Sequence, residues 1–114
     1  MKGTYLGEFE ELVLLCIGIL GQEAYGVAIK LELEKQTGRK ISIGAVHAST
    51  NRLEEKGYLK SEFGSVTKQR GGKRKKFYFV TVFGQKALKT SMELRQRMWA
   101  QVQPTAFEVK LGGS

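Results

Sequence analysis

Seven cations, Lys60, Lys68, Arg70, Lys73, Arg74, Lys75 and Lys76, stand between positions 60 and 76, and Glu62 is the only acid among them. Seven positive groups less one negative leave +6 of the chain's net +8 in this stretch. Clustered ammonium and guanidinium groups neutralise phosphates and release counterions, so the chemistry on offer is polyanion binding. Gly71 and Gly72, inside the run, let the backbone adapt to what it meets. A charge run of this kind is usually a solvated loop; what lies beside it decides between the two readings.

Beside it, Gly44, Ala45, Ala48, Ser49 and Arg52 recur at helical spacing, opposite the apolar Ile43, Val46 and Leu53. Small side chains let a helix enter the major groove, and hydroxyl and guanidinium groups hydrogen-bond to bases or phosphates. Ser42 precedes this segment as a helix cap and belongs to the same candidate surface. Cations on phosphates give affinity without sequence information, so specificity would come from this helix. Arg74 and Lys76 alternate with Lys75, so they cannot all face one duplex.

Other chemistry is poorly supplied. His47 is the only histidine and Cys16 the only cysteine, too few for a metal site. His47 is expected to pack against the core or a DNA backbone, and Cys16 to be a small buried hydrophobe. Gly71-Gly72 lacks the strand-to-helix setting of a phosphate-cradling loop, and no nucleophile, base and acid stand in a usable order. The acid pairs Glu10-Glu11 and Glu54-Glu55 point in different directions on their helices and read as surface charge. No catalytic residue, metal or cofactor is expected; the chain does not read as an enzyme.

These residues need elements to hold them. The chain has 114 residues, 41% of them hydrophobic, enough for one compact domain and an extra helix. Helices are expected over 8–20, 24–37 and 43–56, with Gly21, Gly38 and Gly57 as breaks. The first is acidic at its start and apolar nearly all round afterwards, which suits burial on more than one side. Residues 58–63 and 76–82 have strand character, and the basic loop 64–75 joins them as a hairpin. A last helix, 84–103, is capped by Thr81 or a neighbour and ended by Pro104. Its apolar arc, Ala87, Leu88, Met92, Leu94, Met98, Trp99 and Val102, is wide enough for two contacts, its own domain and a partner subunit. Ser91 and Arg95 lie inside that arc and must be wet or paired.

The longest apolar run, 12–20, is too short to span a membrane, and acids precede it, unlike a signal peptide. A single cysteine excludes an internal disulfide and points to a reducing compartment. A cytoplasmic protein with no membrane attachment is expected.

In order along the chain, 6–14, Ala24-Tyr25-Gly26-Val27-Ala28-Ile29, 44–59, Gly71-Gly72-Lys73-Arg74-Lys75-Lys76-Phe77-Tyr78, and Thr81 with Gly84 resemble the PadR-like transcriptional regulators. The resemblance covers roughly residues 6 to 90. It departs at His47, Ala48 and Thr50, where the family usually has Tyr, Pro and Leu. It implies a homodimer whose C-terminal helices embrace the partner subunit, and operator binding that is usually repressive. In some members it implies a small aromatic or drug-like effector that weakens DNA binding.

The expected fold is therefore α+β, mainly α: a winged helix-turn-helix of three helices and a two-stranded wing, with a C-terminal dimerisation helix. Residues 1–82 form the DNA-binding domain, 83–103 the dimerisation helix and 104–114 a flexible tail. The expected function is sequence-specific binding of double-stranded DNA at a palindromic operator. The DNA-contacting set is Ser42, Gly44, Ala45, Ala48, Ser49, Arg52, Lys68, Arg70, Lys73, Arg74 and Lys76. Leu94, Met98, Trp99 and Val102 are assigned to the dimer interface, and Trp99 also to an effector platform. Tyr25 and Gly26 read as packing residues, the ring between helices and the glycine at a close helix approach. A winged-helix module that binds protein or RNA instead stays open as the alternative.

Overall fold

A computed structural model of the chain describes residues 6–66 and 74–107, with the side chains of Ser65 and Val66 outside the description. The elements run α1 (Glu8–Leu20), a 3-10 turn (Gly21–Glu23), α2 (Gly26–Thr37), α3 (Ile43–Glu55), β1 (Leu59–Val66), β2 (Arg74–Val80), α4 (Val82–Gln101) and a second 3-10 turn (Pro104–Ala106). This is the expected winged helix. The expected second helix begins two residues later than its sequence pattern, because the chain turns through Gly21–Glu23 and Tyr25 is extended. Both strands are longer towards the wing tip than expected.

The core is one cluster in which α1, α2 and α3 converge on the base of the wing. Val13, Leu14, Cys16 and Ile17 come from α1, Ile29 and Leu33 from α2, Val46 and Leu53 from α3, and Leu59 and Tyr78 from the strands. These sets recur at three-, four- or seven-residue spacing, one buried stripe per helix. Burial pushes the Cys16 thiol up to about 11, with the charge of Glu32 adding to it, so it stays protonated.

β1 and β2 pair antiparallel, Leu59 opposite Val80, Ser61 opposite Tyr78 and Phe63 opposite Lys76, with a bulge between Phe63 and Val66. A further strand-like contact was not expected. Tyr25 bridges Phe77, and the Tyr78 N–H donates to the Ala24 carbonyl at 2.8 Å. Tyr25 therefore packs on the wing, edge-on to Phe77 at 5.8 Å between ring centroids, and not between helices. Gly26 does permit a close approach: a Cβ there would lie 3.1 Å from Nε2 of His47 on α3.

Two glycines set the joints around the wing. Gly57, at φ 80°, turns α3 into β1 through a conformation that side chains resist. Gly84, in the first turn of α4, lies so close to β1 that a Cβ would fall 2.2 Å from the Tyr58 carbonyl oxygen. Thr81 caps α4 by accepting from the Gly84 N–H at 3.0 Å and donates its own proton to the Gly57 carbonyl at 2.6 Å. The Thr-x-x-Gly spacing is thus a seat: the cap fixes the helix start and the missing side chain lets it sit down.

Candidate nucleic-acid interface

α3 begins at Ser42, whose Oγ accepts from the Ala45 N–H at 3.0 Å, as the sequence predicts. The helix presents Gly44, Ala45, His47, Ala48, Asn51 and Arg52 to the outside and buries Val46, Ser49, Thr50 and Leu53. Most of the expected outer face is therefore open, but Ser49 is not on it. Its side chain is 0% exposed, and among the described residues its Oγ has no hydrogen-bond partner. Ser49 lies at the flank of the helical arc, where small size fits the core as easily as the surface. Asn51 takes the place that Ser49 vacates. It sits three residues from Ala48 and seven from Gly44, a helical spacing that is visible in the sequence.

Arg52 projects from this face half exposed, its side chain at 53%. Its Nε donates to Glu10 of α1 at 3.4 Å, and Lys56 donates to both oxygens of the same carboxylate at 2.8 and 3.0 Å. Glu10 is buried, contrary to the surface reading. Burial by itself would raise its carboxyl, but hydrogen bonds from Lys56 and the Gly7 N–H, with the charge of Lys56, hold it below the usual carboxylate value. Glu11, also buried, accepts from Ser91 and Arg95 of α4. These are the two α4 residues expected to be wet or paired. The side-chain partners of both acids lie 42 to 84 residues away in sequence, so nothing local reports them.

The wing supplies the cations. Arg74 is exposed at the start of β2. Lys75 lies over the Tyr25 ring, 4.1 Å from its centroid. Lys76 is turned towards α3, 3.7 Å from Glu54, whose other oxygen accepts from Ser61 at 2.7 Å. Glu54 is thus partnered, while Glu55 is exposed. Lys68, Arg70 and Lys73 lie outside the described residues.

Between α3 and β2 runs a cleft of about 260 Å³, lined by Tyr25, Gly26, Ile43, His47, Arg74 and Lys75 among others. Among the described residues no side chain caps the first turn of α2, which opens beside the cleft and leaves backbone N–H groups for an acceptor. The turn into α3 carries exposed Arg39 and Lys40. Glu34 braces that turn. Its carboxylate accepts from the Ile41 N–H at 3.0 Å and from Lys30 at 3.2 Å, and these bonds lower its pKa. One open surface therefore combines a small-residue helix face with cations on both flanks.

α4 offers a surface of another kind. Leu88 packs on the core, while Leu94, Met98, Trp99 and Val102 are open, Trp99 at 71%. Phe107 comes back over Trp99 with ring centroids 6.1 Å apart, so the start of the expected flexible tail is folded; 108–114 lie outside the described residues. Leu15 and Ile19 of α1 are also exposed, and with Val80, Gln85 and Leu88 they line a groove of about 420 Å³. Among the described residues no helix is long and apolar enough to cross a membrane.

A family model described as the PadR-like transcriptional regulators matches residues 14–90. Among solved structures, the chain is similar to a PadR family transcriptional regulator from Eggerthella lenta, at 29% identity and a TM-score of 0.60, over 82% of this chain and 80% of that one. It is similar to a transcriptional regulator from Clostridium thermocellum, at 26% identity and a TM-score of 0.63, over 82% and 92%. A PadR family regulator from Clostridium difficile shares the fold, at 20% identity and a TM-score of 0.61, over 81% and 92%. No curated protein sequence matches.

Proposed function

The chain belongs to the PadR-like family of transcriptional regulators, and from that premise we propose that it acts in the cytoplasm as a homodimeric repressor that reads a palindromic operator in double-stranded DNA. The observation that carries this reading is the juxtaposition of the α3 outer face with the cationic base of the wing across one cleft. α3 enters the major groove with Gly44, Ala45 and Ala48 as the close-approach surface and Arg52 as the base-reading group. Asn51 joins them from the same exposed face. Ser42 keeps its cap and donates its remaining proton to a phosphate. Arg74 holds the backbone, a role also given to Lys68, Arg70 and Lys73, which stand between the two strands in sequence. Lys76, shared with Glu54, contributes less.

Two such helices read two half-sites, about 34 Å or a multiple apart. Leu94, Met98, Trp99 and Val102 make the dimer, and the exposed Leu15 and Ile19 of α1 add to the apolar surface open to a partner. A small aromatic effector binding near the two Trp99 side chains releases the DNA.

The test is a salt titration against duplex DNA from the region upstream of its own gene and against a scrambled duplex. The native duplex should bind at least ~1000-fold tighter, with a steep salt slope. Ala48→Glu should remove that discrimination without changing the melting temperature. Equal affinities for both duplexes would make the protein an unspecific binder of nucleic acid. No binding at low salt would move the basic wing to an acidic protein partner.

A further inference from the structure

Glu10 and Glu11 are neighbours on α1, about 100° apart around the helix, and each is buried on a different element. Glu10 holds Arg52 and Lys56 at the end of α3. Glu11 holds Ser91 and Arg95 in the middle of α4. We propose that the two carboxylates are positioning residues for DNA reading: they fix where Arg52 and Lys56 stand and make that position depend on the placement of α4. The proposal rests on the DNA-reading role given to α3 above.

α4 packs chiefly on α1 and β2. It is pinned at its start, where Thr81 and Gly84 meet the end of α3 and the head of β1. Arg95 lies eleven residues past Gly84, about 16 Å along the axis, and Trp99 about 22 Å along. Beyond Arg95 the helix is exposed. Any tilt driven at Trp99, by a partner subunit or a ligand, therefore turns about Gly84 and is felt at Arg95.

Glu11 must respond to that tilt. A buried carboxylate stripped of its donors is strongly unfavourable, so it follows them or α4 is held in place. One peptide unit joins Glu11 to Glu10 in the first turns of a helix, where relative movement is small. Glu10 also accepts from the Gly7 N–H at 2.9 Å, which ties the start of α1 to the same carboxylate. A shift of this turn redirects Glu10, and with it the guanidinium of Arg52.

The experiment uses the full chain with Arg95→Met, Ser91→Ala and Glu10→Gln, singly and in pairs. Its first readout is the nitrogen-edited NMR signal of the Arg52 Nε–H in free protein, its second the affinity for the own-upstream and scrambled duplexes at concentrations where sedimentation shows one oligomeric state. Arg95→Met should move the Arg52 signal in the same direction as Glu10→Gln and weaken the own-upstream duplex about tenfold, leaving the scrambled one unchanged. In the Glu10→Gln background it should add nothing. An Arg52 signal untouched by Arg95→Met, or effects that simply add, would make the two acids independent struts and overturn the proposal. Where Arg95→Met does not fold, Ser91→Ala, which keeps the guanidinium on Glu11, decides by the same readouts. A wild-type protein that treats both duplexes alike would overturn the DNA reading, while the Arg52 signal still decides the coupling.

Discussion

α3 and α4 each turn one side to the core and one outward, and what they leave outside differs in kind. α3 buries Val46, Thr50 and Leu53 and leaves small and polar groups open, among them Gly44, Ala48, Asn51 and Arg52. α4 seats only Gly84 fully and leaves Leu94, Met98 and Trp99 open. A face of small and polar groups loses little by meeting water and gains by meeting a polyanion. A face with an exposed Trp and Met is relieved by another apolar surface. The difference suits the two helices to two classes of partner.

The contrast is sharpest at two glycines, each near a helix start. Gly84→Ala forces a methyl against the Tyr58 carbonyl and should cost at least about 3 kcal/mol by denaturant melts, because backbone must move. Gly44 has open space where its Cβ would be. Gly44→Ala should therefore stabilise the fold by up to about 1 kcal/mol, while weakening DNA affinity if that face lies in a groove. Equal destabilisation at both sites would remove the contrast.

Trp99→Ala should separate α4 from α3 next. The indole is exposed in a single chain, so its loss should hardly change the melt of the monomer. The dimer dissociation constant, read by sedimentation, should rise about 30-fold, roughly 2 kcal/mol. An unchanged dimer would leave Trp99 to a ligand or to Phe107 alone.

The smallest of the destabilising effects belongs to α1, which serves both helices. Glu10 titrates below its ordinary value of 4.5 in the folded chain. Its stabilising contribution is then complete above the unfolded value and is lost as the pH falls through the lower folded one. Stability should therefore drop below about pH 4.5, and Glu10→Gln should flatten that drop at a cost of about 1–2 kcal/mol near neutral pH. An acid limb unchanged by the substitution would remove Glu10 from the account.

Most of the frame is legible in the sequence, because it is written in local spacing. Ile29 and Leu33, Val46 and Leu53, and Ser42 and Thr81 as caps each show within one or two turns of helix. What the sequence hides is long-range. Glu10 and Glu11 look like surface acids until Lys56 and Arg95 arrive from other helices. Ser49 looks like a groove-facing hydroxyl because a helical wheel gives its flank position no sign of which neighbour covers it. Tyr25 looks like a helix residue because the strand it bridges is about fifty residues away.

That bridge bears on how the molecule meets its own kind. A two-stranded ribbon has two free edges, and each is a template for strand addition from a neighbouring molecule. Here the outer edge of β2 is interrupted at its centre, where Tyr25 pairs with Phe77 and the Tyr78 N–H is already spent on Ala24. The outer edge of β1 carries exposed Lys60 and Glu62, and charges along an edge resist stacking. A strongly cationic hairpin can thus stay extended in solution without serving as a seed for aggregation.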